Sequence, residues 1–190
     1  TIALSQIERL IEEFHDAKEY GSILKITPCD WNLLRKFAVP KNYFEKEQIA
    51  LDIHGEYEVA RKLQDLINIA EVMSQKYDAT ITNPPYLPDS SMNAKLTNYV
   101  KDNYLYCKAD LYSVFIQKCI SFTKENKYCS LITQHSWMFI SSFHEFRKNV
   151  QNYDMVSMIH LGSRAFEDIS GEVVQTTGFV IRKAKTFGYT

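Results

Sequence analysis

Two consecutive prolines, Pro84 and Pro85, fix a point at which one strand of this chain has to end. They follow Tyr77-Asp78-Ala79-Thr80-Ile81-Thr82, a short apolar and β-branched run that reads as a buried strand. Each proline lacks a backbone N–H and has its φ fixed, so the chain leaves the sheet as a rigid, extended turn whose carbonyls stay free to accept hydrogen bonds. Polar chemistry is thereby hung on a strand end. Asn83 adds a side-chain amide oxygen beside the carbonyl of Pro84, and Tyr86 adds a flat face. An exocyclic amino group held by two acceptors while its ring is stacked, as adenine would be, suits such a turn. An Asn-Pro-Pro turn also ends strands with no further role, because turn residues gather there for conformational reasons. The surrounding sequence has to separate the two readings.

Helical and extended patterns alternate along the chain. From Ile2 to about Tyr20, Leu4, Ile7, Leu10, Ile11 and Phe14 recur at helical spacing, and Gly21 stops the pattern as a C-terminal cap would. Ser22–Ile26 is strand-like, Pro28 and Asp30 introduce a helix over Trp31–Phe37, and a long amphipathic helix carries Ile49, Ile53, Tyr57, Ala60, Leu63, Ile67, Ala70 and Met73. Leu87–Lys108 is polar and tyrosine-rich without clear period, which predicts a long loop beside the Asn83 turn. A helix over Asp110–Lys124, a strand over Tyr128–Thr133, a helix over Phe143–Val150 and strands over Met155–Leu161 and Val173–Arg182 follow. Such alternation predicts a doubly wound α/β fold, mostly parallel, with helices on both faces and ligands at the carboxyl ends of the strands. Residues 1–76 read as a helical segment and residues 77–190 as the site-bearing half.

Composition limits the partners. The 190 residues are 45% hydrophobic, enough for one substantial core, and the net charge of −1 supplies no global positive field for nucleic acid. Arg147-Lys148 and Arg182-Lys183-Ala184-Lys185 are local basic clusters suited either to phosphates or to a solvated surface. Cys29, Cys107, Cys119 and Cys129 form no C-x-x-C pair and read as reduced core cysteines. His15, His54, His135, His144 and His160 are scattered without ligand spacing, so no metal site is expected. Ser136 and Ser163 lack the G-x-S-x-G context of a hydrolase nucleophile. No stretch reads as a membrane span or signal peptide, which points to the cytoplasm. The opening residues start in mid-helix pattern, with Thr1 rather than Met first, so further sequence is expected upstream.

Three ordered blocks, Tyr77–Tyr86, Ala109–Ile116 and Leu131–Phe139 continuing through Leu161–Phe166, resemble the catalytic half of amino-type DNA methyltransferases that methylate adenine at N6. The stretch Gly171–Val180 further resembles the PglX-type adenine methyltransferases of BREX phage-defence systems. The resemblance implies a Rossmann-like, S-adenosylmethionine-dependent fold, and covers about Tyr77 to Lys183. It implies that Asn83 and the Pro84 carbonyl hold the N6 amino group of an adenine flipped out of duplex DNA. Tyr86 would stack on one side of that base and Phe166 on the other, with Pro85 and Phe115 lining the cofactor pocket. Duplex DNA is the implied partner, with other defence proteins as further candidates.

The chain departs from this family in one respect: no glycine-rich cofactor turn and no acidic ribose ligand is recognisable. Gly21, Gly55, Gly162, Gly171, Gly178 and Gly188 never fall as G-x-G. In the family order that turn precedes the Asn83 strand, so the main S-adenosylmethionine motif is expected upstream of Thr1 and the isolated chain is expected to be inactive. Two rival readings stand beside the DNA enzyme. One is a methyltransferase of a protein glutamine or an RNA base; the other is a cofactor-less module that binds DNA or protein.

Overall fold

A computed structural model of the chain describes residues 1–39, 55–107, 109–162 and 175–186. It forms two compact units, Thr1–Gln75 and Lys76–Thr190.

In the first unit α1 (Ile2–Glu13) is followed by α2 (Ala17–Tyr20), α3 (Trp31–Phe37) and α4 (Glu56–Ser74). Ala3, Ile7 and Leu10 lie three and four residues apart on α1 and close a core with Leu34, Ala38, Ile67 and Ala70. Asp30 caps α3 by accepting the Leu33 amide at 3.0 Å, and Arg35 of α3 pairs with Glu71 of α4. The strand expected over Ser22–Ile26 does not form. Gly21, at φ +53°, turns the chain into a 3-10 segment, Gly21–Ile23, which buries Ile23. Side chains of α1 then take amides of the following stretch, Glu13 accepting from Thr27 at 3.2 Å and Gln6 from Asp30 at 3.1 Å. Among the described residues no strand lies beside this run, so it has no ladder to join. Ile49 and Ile53 of the expected long helix lie outside the described residues, whereas α4 carries the rest of that pattern.

The second unit is built on four strands, β1 (Tyr77–Thr82), β2 (Thr123–Gln134), β3 (Asp154–Gly162) and β4 (Thr176–Arg182), in the order β1-β2-β4-β3. β1 and β2 are parallel, and β4 runs antiparallel to both β2 and β3. Consequently β1, β2 and β3 all end at one edge, and β4 starts there. Alternate residues Cys129, Leu131 and Thr133 of β2 and Thr177, Phe179 and Ile181 of β4 are buried on one face. That face is covered by α6 (Leu111–Phe122), whose Cys119 carbonyl accepts from Thr80 of β1, and by Trp137, which packs on Phe179 at 5.4 Å and on Phe146 of α7 (His144–Val150) at 5.8 Å. On the opposite face Ile81 is 80% exposed and Ile159 61%.

The loop expected over Leu87–Lys108 contains a helix. Asn93 caps α5 (Ala94–Asn103) by accepting the Leu96 amide at 2.9 Å, and Leu96 and Val100, four residues apart, supply its buried stripe. The helix is short and polar overall and lies among tyrosines and turn residues, so it reads as loop although its apolar positions recur at helical spacing. Cys107, Cys119 and Cys129 are buried thiols, and burial pushes the Cys119 thiol up to about 12 and that of Cys129 to about 11. Among the described residues no helix is long and apolar enough to cross a membrane.

Candidate active site

Asn83 leaves β1 at the edge where β2 and β3 also finish, and the pairing of Thr82 with Leu131 brings the turn out beside Gln134 and His135. Pro84 is buried, whereas Asn83 and Pro85 are exposed. The side chain of Asn83 makes no hydrogen bond among the described residues, so its amide remains available to a ligand. Tyr86 is half-buried, with its hydroxyl inside and unpartnered among the described residues. Its ring meets Tyr112 edge-on, 5.9 Å between centroids at 81°. Tyr112 is fully buried on α6, stacks on Phe143 at 5.8 Å and shares a 2.7 Å hydrogen bond with Ser136. Burial raises both tyrosine hydroxyls above their ordinary range, with the Asp110 carboxylate adding to the effect, so each stays neutral.

Asp110 holds the far side of the turn. Its carboxylate accepts the amides of Tyr112 and Leu87, each at 3.1 Å, capping α6 and gripping the residue after Tyr86 with the same oxygen. Backbone bonds from Leu111 to the Leu87 carbonyl (2.9 Å) and from Asp89 to the Ala109 carbonyl (3.2 Å) lace the two segments together. Burial raises the Asp110 carboxyl, and amides of Tyr112, Leu87 and Leu111 pull it back down. Sequence patterning flags Asp110 only as a helix start. Its grip on Leu87, 23 residues away, and the hydrogen bond of Tyr112 to Ser136 leave no local trace. Close by, a cleft of about 460 Å³ is lined by Asp89, Ser90, Lys101 and Ser142 among others.

The remaining expected site residues are placed unevenly. Phe115 lies half-buried on the second turn of α6, and Phe166 lies outside the described residues. The described chain has no glycine-lined cradle: Gly21, Gly55 and Gly162, its glycines of positive φ, sit in separate segments. Pro85 and Phe115 are its side-chain candidates for S-adenosylmethionine. The histidines that look scattered in sequence are partly brought together, with His135 Nδ1 2.8 Å from His160 Nε2 where β2 and β3 end. Among the described residues no group of three or more His, Cys, Asp or Glu could hold a metal ion. The arginines of both basic clusters are spent on structure. Arg147 donates to the carbonyls of Trp137 and Ile140 at 2.9 and 2.7 Å. Arg182 binds Asp154 at 2.6 Å at the edge opposite Asn83, because β4 runs antiparallel.

Comparison with known proteins decides the family. The Eco57I restriction-modification methylase model matches residues 5–166. The chain belongs to that family. It is 36% identical over 182 residues, 95% of its length, to the adenine-specific methyltransferase PglX of Lacticaseibacillus casei (strain Zhang). It is 35% identical over 178 residues, 92% of its length, to the adenine-specific methyltransferase BrxX of Escherichia coli O9:H4 (strain HS). The matched region spans 15% and 14% of those two relatives. Among solved structures, a Listeria monocytogenes chain assigned to the class I S-adenosylmethionine-dependent methyltransferases superposes with a TM-score of 0.46 at 18% identity, over 70% of this chain and 42% of that one. Membership in the methylase family makes the mixed α/β sheet part of a Rossmann-like methyltransferase fold.

Proposed function

We infer that this chain carries the base-holding turn of a DNA adenine N6 methyltransferase of restriction-modification or phage-defence type. The observation that carries the reading is the exposed, unspent amide of Asn83 beside the Pro84 carbonyl, at a strand end, with the Tyr86 ring three residues on. Asn83 Oδ1 and the Pro84 carbonyl accept the two N6 hydrogens of an adenine flipped out of the duplex. Accepting both draws the nitrogen toward a pyramidal form and frees its lone pair. As that nitrogen gains positive character, both contacts strengthen, so the turn favours the transition state over the ground state. S-adenosylmethionine, when bound, supplies an electrophilic methyl group. Tyr86 stacks on the base, with Phe166 as the aromatic on its other side; duplex DNA is the partner and the cytoplasm the setting. Incubating the complete protein with labelled S-adenosylmethionine and duplex DNA is expected to yield N6-methyladenine in the hydrolysed DNA. Label recovered only in protein or RNA would overturn the reading.

The absent cradle gives a second expectation. Titration calorimetry of S-adenosylmethionine into the isolated 190-residue chain is expected to detect no binding or only weak binding. Tight, stoichiometric heat would place the cofactor seat within this chain.

Tyr86 gives a third. Its buried hydroxyl has no partner, and an unsatisfied buried polar group costs about 1–3 kcal/mol, so Tyr86→Phe should keep activity and match or exceed wild-type stability. Tyr86→Ala should lose about 1–3 kcal/mol of base stacking and show weaker extrusion of 2-aminopurine at the target position. An unaltered fluorescence signal in Tyr86→Ala would reduce Tyr86 to a packing residue.

A further inference from the structure

We propose that Phe139 and Ile140 form an apolar wedge that enters the DNA duplex at the step an extruded adenine leaves; this rests on the adenine methyltransferase reading. Phe139 is 65% exposed and Ile140 49%, two large apolar side chains in succession just past the end of β2. The backbone that presents them is held from several sides. Trp137 is buried beneath, with its indole N–H donating to Thr133 Oγ1 at 3.2 Å. Amides of Phe139 and Ile140 both donate to the Ser136 carbonyl, at 3.1 and 3.0 Å. The Ile140 carbonyl accepts from Phe143 at 3.2 Å and from Arg147 at 2.7 Å. The Phe139 ring meets His135 edge-on at 5.4 Å between centroids, and most of its remaining surface, with about half of Ile140, stays in water until something covers it.

Position and charge name the occupant. Ser136 belongs to both structures: its hydroxyl meets Tyr112, whose ring lies against Tyr86, and its carbonyl holds the tip. The tip and the Tyr86 ring are thus carried on one rigid frame at the edge where Asn83 emerges. From Gln134 to His144 there is no acidic side chain, and Glu145, the first carboxylate beyond, is paired with Lys148 at 2.9 Å. Asp89 shares the neighbouring cleft with Ser142, where Lys101 stands as a positive charge, and the histidines and serines beside the tip offer phosphates hydrogen bonds. A base leaving the stack opens a gap, and apolar side chains such as Phe and Ile fill gaps of that kind between base steps.

The test uses the complete protein and two duplexes, one fully paired and one with an abasic site opposite the target adenine. In the second, little pairing remains for a wedge to replace. Phe139→Ala is expected to slow single-turnover methylation about tenfold or more on the paired duplex, yet to stay within about threefold of wild type on the abasic one. Phe139→Trp, which keeps a large flat side chain, should retain the wild-type rate on both. Equal loss on both duplexes, no loss on either, or a melting temperature of the DNA-free Phe139→Ala protein lowered as far as by truncating the buried Phe146 would each overturn the wedge, the last by showing that the tip is covered by protein. Failure of the wild-type protein to make N6-methyladenine on either duplex would instead overturn the underlying function.

Discussion

Asn83→Ala in the complete protein is expected to lower the single-turnover rate of DNA adenine methylation by about 100-fold or more, the scale of losing one preorganised hydrogen-bonding group, while duplex affinity changes little. The amide is exposed and makes no bond within the described structure, so its removal leaves no unsatisfied group and should leave the fold intact. What is lost is an acceptor that matters most when the amino nitrogen turns positive, and the loss therefore falls on the chemical step. Asn83→Asp is informative beside it: a carboxylate can accept the same hydrogens but brings a charge, so partial activity there would separate accepting from mere shape. Near-normal single-turnover methylation by Asn83→Ala, with rapid-quench sampling and mass spectrometry of the nucleosides as the readout, would remove the turn from the chemistry.

Asp110→Ala should give the second large effect, this time on stability and on the shape of the site. One carboxylate oxygen accepts the amides of both Tyr112 and Leu87. Losing a helix cap costs about 0.5–2 kcal/mol, and leaving a partly buried amide unpaired adds about 1–3 kcal/mol, so a loss of about 2–4 kcal/mol is expected in thermal or denaturant unfolding. Asp110→Asn keeps an acceptor oxygen, and because burial already penalises the charge, it should come within about 1 kcal/mol of wild type. If Asp110→Ala melts with the wild type, the lacing of the turn to α6 is not what holds Tyr86 in place.

These two residues divide what is legible from what is not. Asn83 can be found by reading, because two prolines after a β-branched run announce a strand end and an adjacent amide announces an acceptor there. Asp110 can be read as a cap before the apolar run of α6, but the second amide it holds, that of Leu87, comes from before α5, a short helix polar enough to read as loop. Ser22–Ile26 errs the other way: the pattern is strand-like, and the Gly21 turn and the polar side chains of α1 decide otherwise.

By itself the sequence determined where β1 stops, the polar side chain that follows the stop, the alternation that builds an α/β sheet, and the family the chain resembles. Each of these is local, set by proline geometry, side-chain chemistry or periodic burial within a few residues. Tertiary structure alone decided that β4 runs against its neighbours and carries Arg182 to the edge away from Asn83. It also decided that His135 meets His160, and that Ser136 ties Tyr112 to the exposed tip at Phe139. Such pairings join positions far apart in the chain. Strand direction and the packing of α6 against the sheet set them, and neither leaves a mark on the residues nearby.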